Sequence, residues 1–525
     1  MEKQGNPILQ HPYLPGLIMF VLAVIVGLFV FHDYGMCWDE PYQRAPAILS
    51  YNYIMHGSQD LFIKKSDNHG AGFEILLVFI EKLMKLNDSR DIYMMRRIVS
   101  NIFFLGSVFA AYVLIYKLFK NRFLACLGFF MLAFMPRMFA HSFYNTKDIP
   151  FVAMVIVIFA VCQAAFEKDK SWLFLMLGFA CGYATSIRIM GIMFALFILL
   201  FLAADIVFKV VRKEKATKQF IHVLLFTVGF LLLLYIPWPF IWKHPIKLFL
   251  ESFGKMSHYA WTGGLLFDGQ IMMSDKPLPW TYFPTWFMIT VPELWLLAGL
   301  VGIGWLSYDF FKRPKVYIQN TYERNFLLYL FSFFAPVISV IFLHSVIYDD
   351  WRHLYFVYPP FVFMGLYFIN KFINGKYAKI VQGVCVLQAA VVILFMVQNH
   401  PFEEVYFNNL VSHEEESLRN KYDMEYWGCS FKQGLDYLVE NDTSRHMHVC
   451  CEYKTMLDNN IMLLHKEDRG RFQFTMFDTA DYYMSNFRLH PQDYPGTNIV
   501  YQAQVLNSTI FRVYKLKGTP NVKLR

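Results

Sequence analysis

Asp39 and Glu40 stand in Trp38-Asp39-Glu40-Pro41, directly after the first long apolar run, and Asp148 follows the third such run. A carboxylate beside a bilayer costs free energy unless it is hydrated or paired. Acids at the ends of spans are therefore candidates for proton transfer. Glu40 before Pro41 also fits a helix N-cap with proline at the first helical position. That capping role would account for Glu40 and leave Asp39 for chemistry. Asp148 lies in His141-Ser142-Phe143-Tyr144-Asn145-Thr146-Lys147-Asp148-Ile149-Pro150, where Tyr144 and Lys147 crowd beside the acid. A helix start there offers capping as the plainer alternative for Asp148.

Two arginines complete the set. Arg188 follows the fifth apolar run, and Arg352 with His353 follows the ninth in Tyr348-Asp349-Asp350-Trp351-Arg352-His353. A guanidinium presents a planar fork that matches phosphate oxygens. The plainer readings are a snorkelling anchor for Arg188 and an interfacial aromatic belt around Arg352. Acids and arginines at one membrane face suit transfer from a phosphate-linked lipid. A carboxylate would deprotonate the acceptor, and the arginines would stabilise the departing phosphate.

The elements that must position these groups are membrane spans. The chain has 525 residues, of which 56% are hydrophobic and only 17% charged, far too little charge for a soluble surface of this size. About 20 apolar residues cross a bilayer core. Eleven segments qualify: 14–32, 98–116, 123–140, 150–166, 171–187, 190–208, 219–240, 284–310, 326–346, 354–370 and 380–397. With the N-terminus inside, the short inner loops hold 17 Lys and Arg. The outer loops after the third, fifth, seventh and ninth spans hold seven: Lys147, Arg188, Lys243, Lys247, Lys255, Lys276 and Arg352. That bias supports the orientation and puts Asp39, Asp148, Arg188 and Arg352 on one outer face; the first outer loop, about 33–97, carries several Lys and Arg, but loops that long obey the rule weakly. The net charge of +8 follows from these loops and does not point to nucleic acid.

Residues 1–397 thus read as a transmembrane domain with a long first outer loop, 33–97. Stretches 42–56 and 73–86 in that loop have helical spacing, and they would lie in the membrane interface or pack on the bundle. Residues 398–525 are more polar and read as a small α/β domain outside the membrane. Strands are expected near 472–476, 497–505 and 509–516, with a helix through Phe431, Leu435 and Leu438. Cys429, Cys450 and Cys451 allow one disulfide or buried free thiols. Gly299, Gly302 and Gly304 are expected to serve helix packing. No phosphate-binding GxxxxGK[ST] loop is present, which removes support for ATP-driven transport.

Taken together, these motifs resemble GT-C glycosyltransferases. Trp38-Asp39-Glu40 is similar to the acidic motif of protein O-mannosyltransferases. Thr146-Lys147-Asp148-Ile149-Pro150 resembles the second acidic site of the wider family-39 group, which includes aminoarabinose transferases. Trp351 to Phe356, His400 to Asn408 and Asp423 to Gly428 resemble segments of bacterial family-39-like proteins, so the likeness spans about 14–430. It implies a GT-C-like bundle of about 11 transmembrane helices in a bacterial inner membrane, with the active site on the extracytoplasmic face. It implies a polyprenyl-phosphate-linked sugar donor, inverting transfer, and a lipid, glycan or protein acceptor. Asp39, Glu40 and Asp148 would be catalytic, and Tyr144, Lys147, Arg188, Arg352 and His353 would bind substrate. The tail is too short for the β-trefoil usual in protein O-mannosyltransferases, which counts against a protein acceptor. No cofactor or metal is required, though the acids could hold a divalent ion. The rival reading is a lipid-linked sugar flippase or secondary transporter, which would place polar groups deep in the spans.

Overall fold

The computed structural model describes residues 11–63, 70–257, 261, 263–273, 277–494 and 498–516. Lys276 and both chain ends, read above as an outer-loop charge and as parts of the two domains, lie outside these residues.

Helices occupy all the apolar segments, but fewer are full spans than expected. Seven helices among the described residues are long and apolar enough to cross a membrane, or eight if the bent pair Arg122–Ala133 and Pro136–Tyr144 counts as one. Proline accounts for much of the shortfall, because it lacks an N–H and its ring clashes with the preceding turn. Pro136 starts the second member of the bent pair, which turns by 58°. The segment expected at 284–310 is likewise divided at Pro292 into Tyr282–Thr290 and Glu293–Lys312. The tenth segment is 3-10 helical over Arg352–Val357 and becomes α-helical only at Tyr358, ahead of Pro359 and Pro360. Leu14–Val30 and Ser171–Ile187 are apolar helices of 17 residues each, short of a full span.

The helix Asp148–Lys168 is the most deeply enclosed of the seven, with 72% of its most apolar window buried. It starts where Asn145 accepts a hydrogen bond from the Asp148 N–H at 2.9 Å through Oδ1, and Pro150 occupies its first turn. The polar end of the central helix is therefore fixed by its own sequence. Close helix pairs use glycine as expected of membrane bundles. A Cβ at Gly299 would meet the Phe361 ring, and one at Gly302 would lie 2.1 Å from the Met364 carbonyl oxygen. Gly304 does not join this seam, since a Cβ there would meet nothing.

The two stretches of the first loop are helices, Glu40–His56 and Gly72–Leu83. Arg44 and Glu81 join them by a paired hydrogen bond at 2.8 and 2.9 Å. The second buries Phe73, Ile75, Leu77 and Val78, so it packs on the bundle and is not an interfacial helix on that face.

A hairpin, β1 (Gly264–Phe267) and β2 (Gln270–Met273), precedes the later helices. After the helix Ala378–Asn399, the chain forms a five-stranded mixed sheet. Its strands are β3 (Met447–Cys451), β4 (Phe472–Phe474), β5 (Tyr482–Ser485), β6 (Asn498–Val505) and β7 (Ser508–Lys515), in the order β4-β3-β5-β7-β6. β3 runs parallel to β4 and β5, while β7 is antiparallel to β5 and β6. The helix Phe431–Asn441 packs Phe431 on Phe511 of β7. Sequence patterning missed β3 and β5. β5 is buried at all four positions and so shows no polar alternation. All eight cysteines are free thiols.

Candidate active site

Arg352 is the hub. Its guanidinium is almost fully buried, and Nη1 lies 3.5 Å from both Asp39 Oδ2 and Asp148 Oδ2. Nη2 lies 3.4 Å from Asp349. The rings of Trp427 and Tyr348 pack on it at 4.5 and 5.1 Å, which excludes water and strengthens every charge contact there. Burial pulls its pKa down, but Asp39, Tyr348 and Asp349 outweigh that and hold it above the ordinary arginine value. Four separated segments thus meet at one group.

Asp148 is a clamp. One oxygen pairs with Arg188 Nη2, and the other accepts from Asn145 Nδ2 at 2.8 Å while facing Arg352. Both oxygens are committed to orienting donors. Arg188 is pushed down to about 10 by burial and by the like charge of Arg352. Two guanidinium groups held this close beside a part-exposed acid form a ready anion site.

Asp39 and Glu40 exchange the parts the sequence suggested. Asp39, not Glu40, is the N-cap of Glu40–His56, and its side chain makes no capping hydrogen bond. Its side chain keeps 31% exposure, the largest of the acids around Arg352. Burial raises its pKa, opposed by Arg352. Glu40 is fully buried and turns back to accept the Cys37 N–H at 3.0 Å. Its contact is with its own turn and with no open surface. The candidate base is therefore the cap, and the acid read as a cap braces the turn.

The other expected ligands divide. Lys147 is half-buried and its charge lowers the pKa of Asp39. His353 sets its ring edge against Tyr348 at 4.7 Å, one layer behind Arg352. Tyr144 is fully buried and donates its hydroxyl to Glu404, so it faces away from the open side of the site. Residues not singled out above complete the frame. Asp350 accepts from Arg137, Tyr355 and Tyr426 at 2.8 to 3.0 Å. Arg488, from the C-terminal sheet region, donates to Asp349 at 2.8 Å and to the Tyr426 carbonyl at 2.6 Å. The Asp349-Asp350 pair signalled charge but gave no hint of partners 139 residues away.

Residues 70–243, about a third of the chain, match the family model described as dolichyl-phosphate-mannose-protein mannosyltransferase. This is a membrane glycosyltransferase. The matched segment of the glycosyltransferase takes in Tyr144, Lys147, Asp148 and Arg188 and stops short of Asp39, Glu40, Arg352 and His353. The family resemblance is borne out over that narrower range. A search of curated proteins finds no match. Among solved structures, the apo oligosaccharyltransferase of Archaeoglobus fulgidus is similar at TM-score 0.47 and 10% identity, over 92% of this chain and 73% of that one. ArnT from Cupriavidus metallidurans, bound to undecaprenyl phosphate, is similar at TM-score 0.42 and 12% identity, over 95% and 97%.

The buried acids predict a pH response of the glycosyltransferase. Burial pushes Glu40 up to about 7 and Asp423 up to about 6. Both bind protons more tightly folded than unfolded, so stability falls as pH rises from about 4.5 to about 7. Glu40 alone contributes about 3 kcal/mol across that window. Thermal unfolding in detergent should show a melting temperature that declines from about pH 4.5 to about pH 7 and then levels. Glu40→Gln should flatten the decline; a slope untouched by that change would mean Glu40 is ionised in the fold.

Proposed function

We propose that the glycosyltransferase moves a sugar from a polyprenyl-phosphate donor to an acceptor hydroxyl or amine at the extracytoplasmic face, with inversion. The observation that carries this reading is Arg352 lying between Asp39 and Asp148, with Arg188 on the far oxygen of Asp148. Asp39 takes the acceptor proton. The acceptor heteroatom then attacks the anomeric carbon from the face opposite the phosphate. The bond from that carbon to the phosphate oxygen breaks, and its electron pair leaves on the polyprenyl phosphate. Arg352 and Arg188 receive this anion, with Asp148 holding both guanidinium groups in register. Glu40 supports the turn that presents Asp39. The family model's printed name includes a dolichyl-phosphate sugar donor, which fits a polyprenyl carrier. About eleven membrane crossings, an inner-membrane location and an outward-facing polar end belong to the same proposal, as does a separate outer domain from residue 398.

The rival reading, a flippase for the same lipid, makes a different prediction. Purified protein in vesicles carrying a labelled polyprenyl-phosphate sugar should release free polyprenyl phosphate when acceptor is supplied. Label that only changes leaflet, with the sugar still attached, would favour the flippase.

A further inference from the structure

We propose that Glu404, Glu425 and Cys429 form a structural site for one zinc-class divalent cation. A donor atom from each lies within 4.8 Å of the other two, and all three residues are buried. One thiol and two carboxylates suit zinc, whereas calcium and magnesium take oxygen alone. Bound zinc would set its ligand atoms roughly 3.5 Å apart, given bonds of about 2.0 Å to oxygen and 2.3 Å to sulfur. The present atoms lie within 4.8 Å of one another, so a shift on the order of 1 Å or less reaches that spacing.

A second observation points to a missing partner. Glu404 is 2% exposed. Tyr144 donates to its Oε2, while Oε1 has no hydrogen-bond partner. A buried carboxylate oxygen left this way is costly. Among the described residues, the nearby Arg137 guanidinium pairs with Asp350 at 3.0 Å and makes no hydrogen bond to Glu404. Glu425 is already oriented, accepting from the Cys429 N–H at 2.8 Å and the Ser430 hydroxyl at 2.6 Å. Metal-binding carboxylates are commonly held in place by such outer hydrogen bonds.

The site joins two loops around the catalytic turn. Glu404 belongs to the turn Glu403–Val405 that follows the helix Ala378–Asn399, while Glu425 and Cys429 flank Trp427. Trp427 covers Arg352 and accepts the Trp38 N–H at 2.9 Å through its carbonyl. A cation here would stiffen the wall that carries Asp39 without touching the transferred sugar.

Elemental analysis of the purified full chain tests this independently of any transfer assay. About one zinc per chain is expected. Cobalt-loaded protein should show the thiolate-to-metal absorption band that a carboxylate-only site lacks. Glu404→Gln and Cys429→Ser should each lose the metal and cost several degrees in melting temperature, and adding zinc should raise the melting temperature of the wild type only. If one variant fails to fold, the other and the wild-type cobalt spectrum still decide. A wild-type chain that neither carries nor takes up zinc or cobalt overturns the proposal, as would full metal content in both folded variants.

Discussion

An Asp39→Asn enzyme is expected to keep its fold and lose transfer by about 10²–10⁴-fold, the usual range for removing a general base. Asparagine matches aspartate in shape, and Asp39 makes no capping hydrogen bond that amide substitution would break. Arg352 lies 3.5 Å from it, and Arg352 keeps Asp148 and Asp349 when Asp39 is replaced. The loss should therefore appear in kcat, with an unchanged melting temperature. Glu40→Gln is the matched control. Its carboxyl is buried, pushed up to about 7, and turned toward its own turn, so the amide should transfer sugar at close to the normal rate. A folded Asp39→Asn protein of wild-type activity would falsify the assignment of the base.

The second large effect concerns Arg352. Replacing it with lysine keeps the charge and removes the fork. One ammonium cannot span Asp39, Asp148 and Asp349 while meeting two phosphate oxygens. Transfer should drop about 10²–10³-fold, as for loss of a single anion-stabilising donor. Arg352→Ala should do more harm to the protein itself. It leaves three neighbouring carboxylates without their shared partner, a change that costs about 3–5 kcal/mol when charges are buried. A melting curve separates the two variants, since the lysine enzyme should remain folded and the alanine enzyme should not tolerate the same temperature. Equal melting temperatures for wild type and Arg352→Ala would show that Arg352 is not the hub.

How much of this was legible depends on the range over which each signal acts. Acids at the ends of apolar runs are a local signal, and it located Asp39 and Asp148. The same signal marks Glu403 and Glu404 after the last long apolar helix, where it was absorbed into a family likeness. The assignment of roles within Asp39-Glu40 went the other way because capping was judged from residue type, and the chain starts its helix one residue earlier. The Asp148 partners Arg188 and Arg352 could be paired only by orientation, because 40 and 204 residues separate them from it. Arg488 and Trp427 had no local mark, since a lone arginine beyond the spans and a tryptophan in a polar loop are ordinary. The length of individual helices was overread for a physical reason. Hydropathy averages over proline, but the backbone cannot, and Pro136, Pro292, Pro359 and Pro360 each end or delay a helix.

The turn that presents Asp39 is held by partners from the far end of the chain. Asn460 accepts the Met36 N–H at 2.8 Å, 424 residues away, and its amide donates to the carbonyls of Met36 and Gly428. At about 5–20 residues per second of synthesis, roughly 20 to 85 seconds separates the two. The first helices would be in the membrane throughout that interval with their acidic turn unbraced. The enzyme's competence is thus deferred until Asn460 has been made, and a chain terminated before it would occupy membrane without gaining the ability to act on the lipid pool around it.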